Sequence, residues 1–111
     1  MSERSLETIK TEIEAAIKKD PIVMYVKGTL NMPMCGFSKG VMEVFTHLGA
    51  TFKTYDVLED SLIREGVKQY TQWPTIPQIF IKGEFVGGYD IVKDLYQSGE
   101  LEKMVAEATG K

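Results

Sequence analysis

The fold is decided by residues 22–57, which read IVMYVKGTLNMPMCGFSKGVMEVFTHLGATFKTYDV. Residues 22–26 form a continuous apolar run with the length and composition of a buried β-strand. After a loop, apolar residues recur at helical spacing from about residue 36 to 48, and Gly49 follows as a C′ glycine. Residues 51–57 alternate apolar and polar side chains, as a second strand does. This order predicts a βαβ unit with parallel strands and a right-handed crossover.

Two amphipathic helices are predicted on either side of this unit. Upstream, apolar residues at helical spacing indicate a helix from about residue 3 to 19, closed by Asp20-Pro21. Downstream, Asp60 is suited to cap a helix from about residue 61 to 71, because its carboxylate can accept hydrogen bonds from the first free N–H groups.

The last part of the chain predicts a hairpin followed by helix. Short apolar runs flank Lys82-Gly83, which indicates an antiparallel hairpin in which the glycine supplies the positive φ. Asp90 is predicted to cap the next helix, and Gly99 to separate it from a final helical segment. We therefore expect a single domain over residues 1–111, with its core from about 22 to 106.

Composition and charge exclude several classes of function. The net charge is −3 with no basic block, so nucleic-acid binding through phosphate neutralisation is not expected. No apolar run has the length needed to span a bilayer, and we expect no membrane association. Residues 1–5 contain no apolar segment of the secretory type.

Cys35 is the only cysteine among the 111 residues, and it lies where the predicted loop turns into a helix. Free backbone N–H groups and the positive end of the helix dipole favour the thiolate there. A thiolate attacks disulfides and binds soft metals. The alternative is an inert, buried thiol, the commoner state of a lone cysteine. No internal disulfide can form, which fits a reducing compartment.

Four separated blocks of this sequence resemble, in the right order, the landmarks of the monothiol glutaredoxins. The blocks are Lys27-Gly28-Thr29, Cys35-Gly36-Phe37-Ser38, Trp73-Pro74-Thr75-Ile76-Pro77-Gln78 and Gly87-Gly88-Tyr89-Asp90. The resemblance runs from about residue 5 to 106. It implies an α/β protein with the thioredoxin fold, in which helices flank a four-stranded mixed sheet built from a parallel pair and an antiparallel hairpin.

The resemblance also implies a glutathione site around Cys35, which would be both the catalytic residue and a metal ligand. The implied glutathione contacts are Lys27, Arg64, Ile76, Tyr89 and Asp90. The residues expected to support the site are Gly36, Phe37, Ser38, Thr75, Pro77, Gly87 and Gly88. The Ile76–Pro77 peptide is expected to be cis. Taken singly, each contact also has a plain structural explanation. Trp73 is expected in core packing, with a contact to glutathione or to the helix after Asp60 as the alternatives.

Iron–sulfur cluster handling is the function that the resemblance implies first. A [2Fe–2S] cluster usually takes four thiolates, and two Cys35 thiolates with two glutathiones would supply them in a homodimer. Members of the family deliver such clusters to apo iron–sulfur client proteins, with BolA-like proteins as alternative dimer partners. The expected location is a bacterial cytoplasm, with the mitochondrial matrix as the alternative.

Two other functions are compatible with the same residues. One is a glutathione-dependent thiol–disulfide oxidoreductase that acts on glutathionylated proteins through Cys35 alone. Ser38 occupies the position of the resolving cysteine in two-thiol proteins, so the two-cysteine cycle is not available, and by resemblance this activity is at most weak. Taken alone, Ser38 is an ordinary first-turn helix residue. The other is a thioredoxin-fold interaction domain without a cofactor.

Overall fold

The computed structural model describes residues 5–110, which form five helices and four strands. In chain order the elements are α1 (Leu6–Lys19), β1 (Ile22–Val26), α2 (Gly36–His47), β2 (Lys53–Asp56), α3 (Ser61–Thr71), β3 (Gln78–Ile81), β4 (Glu84–Gly87), α4 (Tyr89–Ser98) and α5 (Glu100–Thr109). The predicted helix residues 3 and 4, and the predicted domain's residues 1–4 and 111, lie outside the described residues.

The strands form one mixed sheet in the order β2-β1-β3-β4. β1 and β2 are parallel, with Tyr25 opposite Tyr55, whereas β3 runs antiparallel to β1 and pairs antiparallel with β4. The predicted βαβ unit, hairpin and four-stranded mixed sheet are all confirmed. β1 lies inside the sheet, which explains why all five of its residues are buried and apolar.

Successive residues of β1 point into two separate apolar cores, one on each face of the sheet. Ile22, Met24 and Val26 pack with buried residues of α2, α4 and α5. Val23 and Tyr25 face the other way, towards buried residues of α1 and α3. The two-residue period of a strand therefore places helices on both faces. This sandwich holds the carboxyl end of β1 and the amino end of α2 next to each other.

Several element boundaries differ from the sequence-based expectation. α1 begins at Leu6 rather than near residue 3, because Ser5 has extended backbone geometry and its Oγ accepts a hydrogen bond from the Thr8 N–H at 3.1 Å. The prediction that Asp90 caps α4 is wrong, since Gly88 holds the N-cap position and Asp90 lies in the first turn. An acidic residue there still interacts favourably with the helix dipole.

The turn and cap predictions elsewhere are largely confirmed. Asp60 caps α3, with its Oδ1 accepting from the N–H groups of Leu62 at 3.1 Å and Ile63 at 3.2 Å. In the hairpin, Lys82 (φ 55°) shares the left-handed conformation with Gly83 (φ 78°), as a type I′ turn requires of both central residues. None of the helices formed by residues 5–110 combines the length and apolar character that crossing a membrane requires.

Candidate functional site

Cys35 is the N-cap residue of α2, as its position in the sequence predicts. Its side chain is partly exposed, so the expectation of an accessible thiol is confirmed over that of a buried one. Partial burial raises the pKa of the thiol. The backbone N–H groups of Ser38 and Phe37, the Ser38 hydroxyl and the Lys27 ammonium lower it by more, so the pKa of Cys35 lies below its ordinary value. The thiolate is therefore favoured at the end of the helix where the sequence predicted it.

Ser38 contacts both Lys27 and Cys35, so its role differs from that of an ordinary first-turn residue. Its side chain is completely buried, and its Oγ accepts a hydrogen bond from the Lys27 backbone N–H at 3.0 Å. The hydroxyl proton remains available to the sulfur of Cys35, whose thiolate it stabilises. One side chain thus joins the end of β1 to the first turn of α2 and acts on the thiol between them.

The loop over residues 28–34 is held by hydrogen bonds at both of its ends. The Asp56 Oδ1 accepts from the N–H groups of Gly28 and Leu58, each at 2.9 Å. Met34 N–H donates to the Lys27 carbonyl at 3.0 Å. The result is a short, closed loop that leads the chain from β1 to Cys35 along a defined path.

The segment 73–77 between α3 and β3 forms a wall beside Cys35, and the Ile76–Pro77 peptide in it is cis, as predicted. The wall is held from behind by Gln78, which is completely buried. The Gln78 Nε2 donates to the carbonyls of Trp73 at 2.9 Å and Thr75 at 3.1 Å, and its Oε1 accepts from the Thr71 hydroxyl at 2.8 Å. All the hydrogen-bonding groups of this buried amide are occupied, which gives the wall a rigid support.

Gly87 and Gly88 allow α4 to begin close against this wall. Gly87 has φ 146°, and a Cβ on it would lie 2.8 Å from the Cβ of Ile91. A Cβ on Gly88 would lie 3.2 Å from the Pro77 carbonyl oxygen and 3.4 Å from Trp73 Nε1. The missing side chains let the start of α4 pack close against Pro77 and Trp73.

An open pocket of about 810 Å³ lies between these elements. Ten of the predicted site residues line it, namely Lys27, Cys35, Phe37, Arg64, Thr75, Ile76, Pro77, Gly88, Tyr89 and Asp90. The predicted Gly36, Ser38 and Gly87 do not line it. Ser38 and Gly87 are buried behind its walls, whereas Gly36 is exposed at the start of α2, where a side chain would meet no atom within 4 Å.

Opposite charges line different walls of the pocket. The cationic side chains that line the pocket are Lys27, just after β1, and Arg64 and Lys68 on α3. The anionic side chain is that of Asp90, in the first turn of α4. Sequence reasoning missed Lys68, although its spacing of four residues from Arg64 on a helix was a usable signal. The pocket therefore suits an extended ligand with an anionic end and a cationic group.

Trp73 belongs to the pocket wall rather than to the core. It is partly exposed and lines the pocket, and its ring packs edge-on against Phe85 with centroids 5.7 Å apart. Its Nε1 is buried and has no hydrogen-bond partner within the described part of the chain. The expectation of core packing for Trp73 is thus only partly met.

Comparison with known proteins agrees with this geometry. A glutaredoxin family model matches residues 22–86. A probable monothiol glutaredoxin of Rickettsia typhi is 52% identical over 97 residues, covering 87% of this chain and 87% of that protein. A mitochondrial monothiol glutaredoxin of Lachancea kluyveri is 48% identical, over 89% of this chain and 71% of its own length. The solved structure of a buckwheat glutaredoxin–glutathione complex has a TM-score of 0.86 at 26% identity, over 98% of this chain and 97% of that one.

The fold and the site define a thioredoxin-fold protein with one partly exposed thiol of lowered pKa at the start of a helix. The family model spans more than half of the chain, and the relatives share about half of its residues across most of its length. The chain belongs to the glutaredoxin family, among its monothiol members.

Proposed function

We propose that this protein binds glutathione in the pocket beside Cys35, holds a [2Fe–2S] cluster between two subunits and delivers that cluster to apoproteins. The observation that carries the proposal is the combination of a single, thiolate-favouring cysteine with a charged pocket directly beside it. The glutathione contacts, the cluster and the partners are each part of the proposal.

The pocket residues fit glutathione, an extended tripeptide with a carboxylate at each end, an ammonium group and a central thiol. Lys27, Arg64 and Lys68 provide cations for the glycyl carboxylate. The first N–H groups of α4 are free donors for the γ-glutamyl carboxylate, and Asp90 beside them suits the ammonium group. The backbone of Ile76 offers an edge for the middle of the peptide. The buckwheat relative, whose structure is that of a glutathione complex, supports this assignment.

The number of thiols then determines how a cluster would be held. A [2Fe–2S] cluster usually takes four thiolates, whereas this chain has one cysteine. Among residues 5–110 there is no group of three or more His, Cys, Asp or Glu side chains arranged to hold a metal ion. Two Cys35 thiolates and two glutathione thiolates complete the set, and the cluster is cargo that leaves when glutathione exchanges.

The proposed partners meet the protein at the surface around the thiol. Four large apolar side chains there are exposed: Leu30 by 52%, Met32 by 69%, Met34 by 62% and Phe37 by 59%. Such a surface suits contact with another protein. We assign it to a second copy of this chain in the cluster-bound dimer, to a BolA-like protein in its place, and to apo iron–sulfur clients at transfer.

The two relatives come from different cellular compartments. One comes from a bacterium and the other is mitochondrial. We propose a bacterial cytoplasm for this chain, with the mitochondrial matrix as the alternative, since both keep a lone cysteine reduced.

The proposal is tested by anaerobic reconstitution with iron, a sulfide source and one of three additions: glutathione, S-methylglutathione or none. S-methylglutathione keeps both carboxylates and the ammonium group but cannot ligate iron through a thiolate. We expect visible absorption and a dimer with glutathione only, with S-methylglutathione competing against it.

Two variants complete this test. Cys35→Ser is expected to bind glutathione but hold no cluster, and Arg64→Ala is expected to need more glutathione for the same absorption. A full cluster on Cys35→Ser, or cluster formation with S-methylglutathione alone, would contradict the four-thiolate arrangement. Transfer to an apo-ferredoxin, followed by its own spectrum, tests delivery.

The accessible thiol of lowered pKa also favours a second candidate, glutathione-dependent disulfide exchange. In that reaction the Cys35 thiolate attacks the glutathionyl sulfur of a mixed disulfide and expels the protein thiolate. A second glutathione then attacks the Cys35–glutathione disulfide, regenerates Cys35 and leaves as oxidised glutathione. Fast turnover of a glutathionylated peptide by cluster-free protein would favour this candidate, and slow turnover favours the carrier.

A further inference from the structure

Gly40 lies inside α2, two turns before its end, where glycine lowers helix stability relative to alanine. A Cβ placed on Gly40 would lie 2.6 Å from Cε1 and 3.3 Å from Cδ1 of the Tyr89 ring. Real Cβ atoms do not approach so closely. The tyrosine ring thus occupies the space that any side chain at position 40 would fill.

The same ring also contacts Phe37 on the preceding turn of α2. The Phe37 and Tyr89 ring centroids are 5.4 Å apart with the planes tilted by 53°, a favourable aromatic arrangement. Phe37 is only two residues from Cys35, and both rings line the pocket. The Tyr89 ring therefore packs against α2 at two positions, Gly40 and Phe37.

This contact joins the two helix N-termini that face the pocket. Cys35 caps α2, and Tyr89 is the first residue of α4. At Gly40 the backbone of α2 directly meets the ring carried by the first residue of α4, so this approach is one of the contacts through which the two termini pack together.

We propose that Gly40 is a positioning residue that seats the Tyr89 ring and so holds the first turn of α4 at the distance from Cys35 that glutathione requires. The inference rests on the proposed function for its ligand. It assigns to position 40 a role in affinity, although Gly40 itself does not line the pocket. A Cβ at this position displaces either the Tyr89 ring or the start of α4, and both changes alter the wall next to Asp90.

A double-mutant cycle with Gly40→Ala, Tyr89→Ala and the double variant tests this inference. Calorimetric titration with glutathione is expected to show about tenfold weaker binding for Gly40→Ala, equivalent to about 1.4 kcal/mol. In the Tyr89→Ala background the ring is gone, so adding Gly40→Ala is expected to change the affinity little. Glu43→Ala, an exposed substitution on the same helix, is the control and should bind as the wild type does.

A readout in the free protein separates this inference from the proposed function. Nuclear Overhauser contacts between the Phe37 and Tyr89 rings are expected in the wild type and in Glu43→Ala, but not in Gly40→Ala. The positioning role would be overturned if Gly40→Ala bound glutathione as tightly as the wild type does. It would also be overturned if Gly40→Ala weakened binding equally in the presence of Tyr89 and in the Tyr89→Ala background. If the wild type binds no glutathione, the proposed function fails. Separately, persistence of the ring contacts in Gly40→Ala would show that Gly40 does not position the Tyr89 ring.

Discussion

Cys35 and Ser38 show how neighbouring groups set the state of a single atom. Burial alone would raise the pKa of the thiol, yet two backbone N–H groups, a hydroxyl and a nearby ammonium together lower it. The hydroxyl is the only one of these contributors that a side-chain substitution removes without changing the charge of the protein. Ser38 is therefore the residue at which the origin of the low pKa can be tested.

Ser38→Ala is expected to raise the pKa of Cys35, because the thiolate loses a hydrogen-bond donor. At a pH below the pKa, less thiolate is then present, and alkylation of Cys35 by iodoacetamide becomes slower. The pH dependence of the alkylation rate, or of thiolate absorption near 240 nm, measures the midpoint. The same substitution leaves the partly buried Lys27 N–H without its acceptor, which costs about 1 kcal/mol or more of stability.

Thr46→Ala is the matched control for Ser38→Ala. Thr46 carries a hydroxyl on the same helix but is exposed near its far end, where it donates to the Met42 carbonyl at 2.8 Å. Its removal is expected to leave the thiol midpoint unchanged. Equal midpoints for Ser38→Ala and the wild type would show that the backbone and Lys27 alone account for the lowered pKa.

At the scale of elements, the site is assembled where α2, the 73–77 wall and α4 converge. The wall has no regular secondary structure of its own, so its shape depends on the amide of Gln78 behind it. Backbone carbonyls bound in this way stay in one arrangement, and the wall residues Thr75 and Ile76 stay in place against the pocket. The wall and its support form one unit although the support lies in β3.

Gln78→Glu is expected to destabilise the protein and weaken glutathione binding together. A carboxylate accepts hydrogen bonds but cannot donate them to the carbonyls of Trp73 and Thr75. A buried charge without a partner lowers the free energy of unfolding by about 3–5 kcal/mol. Urea unfolding measures this loss, which is expected to be smaller at low pH, where the protonated carboxyl can donate one hydrogen bond.

Gln97→Glu provides the comparison for this change, since Gln97 is exposed on α4. It is expected to leave stability and binding nearly as they are. If Gln78→Glu were no more destabilising than Gln97→Glu at neutral pH, the buried amide would not be the support of the wall.

For the whole molecule, Tyr25 belongs to the apolar core that joins the sheet to α1 and α3. Its ring stacks on Tyr55 with centroids 5.2 Å apart and meets Phe80 edge-on. Burial raises the pKa of the Tyr25 hydroxyl, and the charges of Tyr55, Glu12 and Tyr70 raise it further. As the pH rises, the unfolded chain, in which this hydroxyl has the ordinary pKa of about 10, therefore releases the proton before the folded protein does.

Tyr25→Phe is expected to flatten the loss of stability at alkaline pH. Above about pH 10 the unfolded chain binds fewer protons than the folded protein, so the wild-type free energy of unfolding decreases as the pH rises. Phenylalanine cannot titrate, and the free energy of unfolding of its variant should decrease less steeply between about pH 10 and 12. Denaturant unfolding at several pH values measures both slopes, with Tyr96→Phe as a control; parallel slopes for Tyr25→Phe and the wild type would contradict the assignment.

Local patterns in the sequence were sufficient to predict most elements. The run 22–26, the Asp60 cap and the Lys82-Gly83 hairpin depend on side chains within a few residues of one another, so their outcomes could be inferred without the fold. The position of Cys35 at a helix start was accessible for the same reason. Family motifs added the cis peptide and ten residues that line the pocket.

Tertiary structure alone decided the features that depend on distant parts of the chain. Gly40 looks like a poor helix residue until Tyr89, 49 positions later, is found in the space above it. Lys68 joins the pocket because α3 packs beside β1, and Ser38 gains its role because the end of β1 presents an N–H to it. Spacing along the chain reports which residues share an element, whereas the packing of the elements against one another determines which residues meet.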